Sequence, residues 1–164
     1  MNIFGHNFRL AIWGESHGQQ IGISIDGVPA GIPLSAEDFE ADLARRRSGA
    51  RGTTPRREPD IPQIVSGLYN GMTTGAPLTI EFANTDTHSQ DYATVAFVAA
   101  GVVAKKMLPP GIAFDTRITE IGGCTDPARF DEVLRAAAAD RDSVGGIIEC
   151  RVQGVPLGLG QPFF

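Results

Sequence analysis

The residues best suited to chemistry lie in one short loop, Gly14–Gly18, which reads GESHG. Its two glycines let the backbone turn sharply and approach a ligand closely. The imidazole of His17 titrates near neutral pH, so it is suited to donate a proton to a leaving group such as phosphate. A solvated histidine in an ordinary loop is the alternative interpretation, and these five residues alone do not separate the two.

The same loop matches G-x-S-x-G, the pattern that exposes the nucleophile of many serine hydrolases, with Ser16 in that role. Such an enzyme needs strands before the turn and a histidine far downstream, after an acidic residue. Thirteen residues precede Gly14, and the one histidine after His17 is His88, in a polar stretch. The serine hydrolase is therefore an alternative that the spacing does not favour.

A second candidate site is the arginine-rich segment, Arg45–Arg57, which holds six of the fourteen basic residues of the chain. Guanidinium groups bind phosphate and carboxylate in bidentate fashion and stay charged at any relevant pH. A solvated basic loop is the alternative interpretation. Because the chain carries a net charge of -5 and the segment has no aromatic residue for base stacking, we predict a small anionic ligand and no nucleic acid.

Composition argues against several other classes of protein. No run of 18 apolar residues is present, so no membrane span is predicted, and the N-terminus lacks the pattern of a secretory signal. Cys124 and Cys150 are too few and too scattered for a disulfide framework, and we predict buried free thiols in a reducing compartment. No metal-ligand spacing, G-x-G-x-x-G or P-loop is found. A cytoplasmic protein without a metal or membrane partner is predicted.

The elements that position the loop and the segment are predicted from periodicity. Phe8–Ile12 alternates as a strand, and Ile21–Ile25 forms a second strand that ends at the hairpin signal Asp26-Gly27. Ser35 begins a helix, with Asp38 in the place of the Glu of a capping box, and this helix runs into the arginine-rich segment.

Further along the chain, strands continue to alternate with single helices. The predicted elements are strands Ile64–Tyr69 and Pro77–Phe82 around an Asn70-Gly71 turn, a helix Val95–Leu108, a strand Ile112–Ile121, a helix begun by Asp126 and Pro127, and a last strand Ile147–Val152. This order predicts an α+β layered domain.

Several long stretches, in this order, resemble the chorismate synthase family. They are FGHNFRLAIWGESHG, IDGVPAGIPLSAEDFEADLARRRSGARGTTPRREPD, IVSGLYNGMTTGAPLTIEFANTD, SQDY, VAAGVVAKKML and GVPLGLGQP. The resemblance implies an enzyme of the shikimate pathway, which makes the precursor of the aromatic amino acids. Such an enzyme eliminates phosphate and a ring proton from 5-enolpyruvylshikimate 3-phosphate in an anti-1,4 sense to give chorismate. The resemblance also implies a layered sandwich of antiparallel-rich sheet and helices, reduced FMN as cofactor, a link to NADP, and a homotetramer.

The resemblance also implies roles for individual residues. His17 matches the histidine that protonates the leaving phosphate, and Arg46 and Arg51 match arginines that contact nucleotide or substrate phosphate. Further candidates for binding the phosphate or nucleotide are the neighbouring residues Ser16, Arg45 and Arg57. The cofactor-binding residues stay unknown, because most of the family's FMN residues have no counterpart here.

The sequence departs from the family in two places. After SQDY the family continues through segments such as RPGHADYT and RGGGR, whereas here the chain runs almost directly into TVAFVAAG, a deletion near residues 93–94. The resemblance implies that this segment carries a second catalytic histidine and part of the FMN site. His88 does not replace that histidine, since it lies before the gap. The chain also ends before the half that supplies more of the flavin pocket and a catalytic aspartate.

Two hypotheses follow for residues 1–164, which we predict to form a single, partial chorismate synthase domain. In the first, the sequence is incomplete relative to the functional protein, which is a chorismate synthase. In the second, it is a shortened, inactive paralogue that binds phosphorylated shikimate-like anions. Under both hypotheses, we expect this chain alone not to hold FMN tightly.

Overall fold

The computed structural model describes residues 3–15, 18–46, 60–83 and 92–159 of the 164-residue chain. The strands are β1 (Ile3–Phe4), β2 (Arg9–Gly14), β3 (Gln20–Asp26), β4 (Pro62–Ser66), β5 (Leu68–Tyr69), β6 (Met72–Thr73), β7 (Leu78–Ala83), β8 (Ala113–Ile121) and β9 (Gly146–Gln153). The helices are α1 (Glu40–Arg46), α2 (Tyr92–Met107) and α3 (Phe130–Ala139). Short 3-10 turns lead into α1 and α3.

The chain divides into two compact units, and the first ends at Leu108. Its sheet is antiparallel, with the strand order β1-β2-β3-β7-β4. Helix α2 packs against β2 and β3, and α1 packs against α2. The second unit holds the antiparallel pair β8–β9, with α3 packed on β8. Helices and antiparallel sheets therefore share the chain, which confirms the predicted α+β fold class.

The core of the first unit lies between its sheet and α2. Because strand side chains alternate between faces, Ile21, Ile23 and Ile25 lie on one side of β3, and all three are buried. Ile23 stands opposite Ile80 of β7, and both side chains are fully buried. The apolar residues of α2 join the same cluster. The β2–β3 hairpin, which carries the GESHG loop, is therefore packed on this core.

The hairpin predicted after Asp26 is wrong. Strand β3 pairs with β2 before it and with β7 far along the chain, not with the strand that follows Gly27. The Asp26 carboxylate instead pairs with Arg9 across the β2–β3 hairpin and accepts a hydrogen bond from the backbone N–H of Gly27 at 3.0 Å. Asp26 and Gly27 therefore form a local turn, but the chain leaves the sheet at this turn and does not form a hairpin.

The predicted strand Ile64–Tyr69 is interrupted at Gly67. This glycine has a φ of +79°, and a Cβ there would lie 2.6 Å from the Cα of Leu78. Strand β4 ends before it and pairs with β7, as the sequence predicted, but the turn at Asn70 and Gly71 joins the short strands β5 and β6. The close approach of two backbones at Gly67 is the physical reason for the break.

The start of the first helical segment agrees with the sequence. The backbone N–H of Ser35 donates to the Asp38 carboxylate at 2.8 Å, and the intervening turn is a 3-10 helix. Asp38 also pairs with Lys106 of α2 at 2.7 Å, and Asp42 of α1 pairs with Lys105 at the same distance. Two ion pairs therefore join the α1 region to the C-terminal end of α2, where lysines suit the helix dipole.

We expect the Asp38–Lys106 pair to make the stability of the first unit depend on pH. Partial burial raises the pKa of Asp38, whereas hydrogen bonds from Lys106 and Ser35 lower it. The lowering is larger than the raising, so the pKa of Asp38 lies below its ordinary value. Ionised Asp38 therefore stabilises the fold above the ordinary carboxyl pKa, and this contribution is lost as the pH falls through the folded value. At neutral pH, Asp38→Asn should cost up to about 1 kcal/mol, because the pair is partly solvated.

Urea unfolding followed by the fluorescence of Trp13 checks this prediction, since Trp13 is the one tryptophan of the chain and lies in the first unit. The difference between the parent and Asp38→Asn should shrink as the pH is lowered below the ordinary carboxyl pKa. A difference that is independent of pH would show that the carboxylate charge of Asp38 does not contribute.

The β8–β9 ribbon of the second unit has two unlike faces. Glu149 accepts hydrogen bonds from Arg117 at 2.8 Å and lies 2.6 Å from Nε of Arg151, and these two guanidiniums hold its pKa below the ordinary value. On the other face, the cross-strand pair Ile118 and Ile148 is exposed. Because strand side chains alternate, one face is charged and the other apolar.

The 3-10 turn that leads into α3 begins as predicted for the helix, at Asp126 and Pro127, and α3 itself begins at Phe130. The Asp126 side chain accepts from the backbone N–H of Ala128 at 3.0 Å, with Pro127 at the first helical position.

Cys124 is half-buried and Cys150 is exposed, so the prediction of two buried thiols is wrong. Strand β9 has only β8 as a hydrogen-bonded neighbour in the described part of the chain, which leaves Cys150 uncovered. No helix in the described ranges is long and apolar enough to cross a bilayer.

Candidate functional site

The GESHG loop joins the ends of two paired strands. Gly14 stands opposite Ile21 in the β2–β3 register, and the backbone N–H of Gly18 donates to the carbonyl oxygen of Glu15 at 2.9 Å. Gly14 has a φ of +99°, and a Cβ there would lie 2.6 Å from the carbonyl oxygen of Gln20. The first glycine of the loop is therefore required by the close approach of the two strands.

Ser16 and His17, the two residues of this loop for which the sequence predicts a chemical role, lie outside the described residues. The residues on either side of them, Glu15 and Gly18, are joined by a backbone hydrogen bond. Trp13, next to the loop, lies over Gly22 on the neighbouring strand, where a Cβ would come within 2.1 Å of the indole ring. Trp13 is half-buried and its indole N–H donates to Ser24 at 3.4 Å, so it serves as a packing residue of the hairpin.

The arginine-rich segment starts on the last turn of α1. Arg45 has a side chain that is 70% exposed, and its Nη1 lies 3.9 Å from Oδ1 of Asp42. A pair at that distance and exposure contributes little, so this guanidinium stays accessible to a ligand. Arg51 and Arg57 lie outside the described residues.

Arg46 has a different environment from Arg45. Its Nη1 lies 2.7 Å from Oδ2 of Asp60, and the two side chains are only 14% and 6% exposed. Asp60 has a φ of +42°, which is uncommon for a residue other than glycine. The pair joins the end of α1 to the residues that lead into β4. It therefore links the start of the arginine-rich segment to the chain just after the segment ends.

Sequence reasoning assigned no role to Asp60. It closes the stretch RREPD directly after the arginines, but no helical or strand periodicity links it to Arg46, fourteen positions earlier. A positively charged residue at the end of a helix is usually explained by the helix dipole alone. The buried carboxylate partner becomes visible only once the fold brings the start of β4 next to α1.

Described residues line a cavity beside the β2–β3 hairpin, and this cavity is not suited to FMN. That cavity has a volume of about 200 Å³, below the roughly 300–1,000 Å³ of typical ligand sites. The one arginine that lines it, Arg9, is paired with Asp26. In the same described ranges no cluster of three His, Cys, Asp or Glu side chains could hold a metal ion.

Comparisons with known proteins give one consistent family. The profile of that family, described as chorismate synthase, matches residues 8–96 and 93–164. The chorismate synthase of Chitinophaga pinensis is 46% identical over 199 aligned positions, which cover 100% of this chain and 59% of the relative. That of Ignicoccus hospitalis is 38% identical over 222 positions, which cover 99% of this chain and 58% of the relative.

A solved structure, "Crystal Structure of Chorismate Synthase", superimposes with a TM-score of 0.73 at 24% identity and covers 92% of this chain and 59% of that chain. At that identity the likeness supports the fold alone. The chain spans about three-fifths of the length of the curated relatives it matches. The family match does not favour the serine hydrolase alternative suggested by G-x-S-x-G. Because the profile matches nearly every residue from Phe8 onwards, the chain belongs to the chorismate synthase family.

Proposed function

We propose that this chain is the phosphate-handling part of a chorismate synthase. The reaction is the anti-1,4 elimination of phosphate from 5-enolpyruvylshikimate 3-phosphate to give chorismate. The observation that carries the proposal is the family match from residue 8 to residue 164, which includes both the GESHG loop and the arginine-rich segment.

Loss of phosphate as an anion needs positive charge around its oxygens and a proton for the leaving oxygen. We assign the proton to His17, on a loop held by the β2–β3 register and the Glu15–Gly18 hydrogen bond. The positive charge comes from the arginine-rich segment, of which Arg45 is exposed at the end of α1. The proposed binding set is Arg45, Arg46, Arg51, Arg57 and Ser16.

We further propose that this chain lacks a family segment near residues 93–94. Two observations support this. The family profile matches in two stretches that meet at residues 93–96, close to the start of α2 at Tyr92. The alignments with relatives also run over 199 and 222 positions, more than the 164 residues of the chain, so the relatives hold residues without a counterpart here.

The proposed deletion bears on the cofactor. Reduced FMN is expected of the family, and the cavity beside the β2–β3 hairpin does not fit it. The role proposed for His17 concerns the leaving phosphate, and the arginines are proposed to bind the phosphate of the substrate or of a nucleotide. The deletion thus favours, as a second candidate function, a shortened protein that binds phosphorylated shikimate-like anions without turnover.

Assembly as a homo-oligomer, a tetramer in the family, is also proposed. Large apolar side chains are exposed on the β8–β9 ribbon, including Phe114, Ile118 and Ile148. Contiguous exposed apolar surface of this kind commonly marks a contact with other protein. The cytoplasmic location and the link to NADP stay predictions.

Calorimetric titration tests the proposed phosphate-handling role. The chain should bind 5-enolpyruvylshikimate 3-phosphate saturably and should bind 5-enolpyruvylshikimate, which lacks the phosphate, at least about 10-fold more weakly. The expected difference corresponds to the loss of one or more charge-assisted hydrogen bonds. Equal affinity for the two compounds, or no binding of either, would contradict the proposal.

A further inference from the structure

Two polar residues in the described part of the chain are buried, Asp60 and Thr73, with exposures of 8% and 4%. The hydroxyl of Thr73 has a structural role that accounts for its burial. It donates to the carbonyl oxygen of Pro29 at 2.6 Å and accepts from the backbone N–H of Ile32 at 2.9 Å. Asp60 differs because its carboxylate lies against a side chain that belongs to the candidate site, Arg46.

The backbone at Asp60 adopts an uncommon conformation. Its φ of +42° lies in the left-handed region, which few residues other than glycine adopt and which Asp tolerates better than most. In this conformation Oδ2 lies 2.7 Å from Nη1 of Arg46. A buried carboxylate without a cationic partner would be strongly unfavourable, so the contact and the burial depend on each other.

We propose that Asp60 is a positioning residue that acts through Arg46. A guanidinium is planar, so fixing Nη1 against Asp60 also fixes the direction of the remaining N–H groups. Arg46 is then oriented before a phosphorylated ligand arrives, and less side-chain freedom is lost when the ligand binds. This inference rests on the proposed function, since it takes Arg46 as a contact of the substrate phosphate.

The first variant is Asp60→Asn, which keeps the size of the side chain and one acceptor oxygen but removes the charge. Its affinity for 5-enolpyruvylshikimate 3-phosphate, measured by calorimetry, should fall roughly 10- to 100-fold, the equivalent of one well-oriented charged hydrogen bond. The titration is run at a temperature where circular dichroism shows the variant to be folded. Thr73→Val is the matched control, because it removes the other buried polar group without touching Arg46 and should bind like the parent.

A double-mutant cycle separates positioning from general stabilisation. If Asp60 acts through Arg46, then Asp60→Asn should change the affinity less than about 2-fold when Arg46→Met is already present. A second variant, Asp60→Glu, keeps the charge but moves the carboxylate by one methylene, so it should also bind more weakly than the parent. This variant decides the question if Asp60→Asn does not fold.

The possible outcomes are distinct. Parent-like binding by folded Asp60→Asn, or by Asp60→Glu, would overturn the positioning role and leave the proposed function standing. An equal loss of affinity from Asp60→Asn in the parent and in the Arg46→Met background would show that Asp60 does not act through Arg46. A parent chain that binds no phosphorylated ligand would overturn the proposed function and this inference with it.

Discussion

Replacing His17 with alanine should lower turnover roughly 10²–10⁴-fold in a chorismate synthase that carries this chain together with the family segments it lacks. The leaving phosphate then departs without a positioned proton donor. Substrate affinity should change much less, because the arginine-rich segment holds the phosphate in the ground state. Steady-state kinetics with chorismate formation as the readout measures both quantities, and the loss should lie in kcat.

His6→Ala is the matched control for this variant. His6 is an exposed residue in the connection between β1 and β2, at the opposite end of β2 from the β2–β3 turn. Its replacement should leave turnover unchanged. Near-normal turnover in His17→Ala would remove this histidine from the mechanism, and a large rise in KM with unchanged kcat would make it a binding residue instead.

The double replacement Arg46→Ala and Arg51→Ala should weaken binding of 5-enolpyruvylshikimate 3-phosphate by about 3–6 kcal/mol, or roughly 10²–10⁴-fold. Each guanidinium is expected to donate charge-assisted hydrogen bonds that contribute about 1.5–3 kcal/mol. Calorimetry with the folded variant measures the loss. Binding as tight as that of the parent would show that the segment is only a solvated basic loop.

Arg46→Ala also leaves the buried Asp60 carboxylate without its 2.7 Å ion pair, which costs stability by itself. Arg46→Lys combined with Arg51→Lys is therefore a useful second variant, because it keeps the charges and removes the planar donors. The matched control is Arg9→Ala with Arg117→Ala, which removes two arginines from exposed ion pairs outside the segment. The control should bind substrate as the parent does.

The local patterns of the sequence predicted the elements that depend on neighbouring residues. The alternation in β2 and β3, the Ser35–Asp38 contact and the Asp126 cap all appear in the structure. Each depends on a hydrogen bond or an apolar face formed within a few residues. Strand pairings between distant segments could not be predicted in this way. Strand β3 finds its second partner in β7, so the Asp26-Gly27 turn does not make a hairpin.

The candidate site could be predicted only in part. Residue types and the family resemblance pointed to His17 and to the arginine-rich segment, and the structure describes Arg45 and Arg46 of that segment. It shows that these two adjacent arginines differ, since one is exposed and the other lies in a buried ion pair. That difference depends on Asp60, which reaches Arg46 through the fold and not through any sequence period. The roles of Ser16, His17, Arg51 and Arg57 stay predictions.

The measurement that tests the account most directly is a titration of FMN with the 164-residue chain, followed by flavin fluorescence, in the absence and presence of 5-enolpyruvylshikimate 3-phosphate. The account assigns phosphate handling to this chain and flavin binding to family segments that it lacks. It therefore predicts no saturable change in flavin fluorescence under either condition, and no chorismate formed with reduced FMN. Tight, saturable binding of FMN would contradict it, because the retained residues would then be sufficient to hold the flavin.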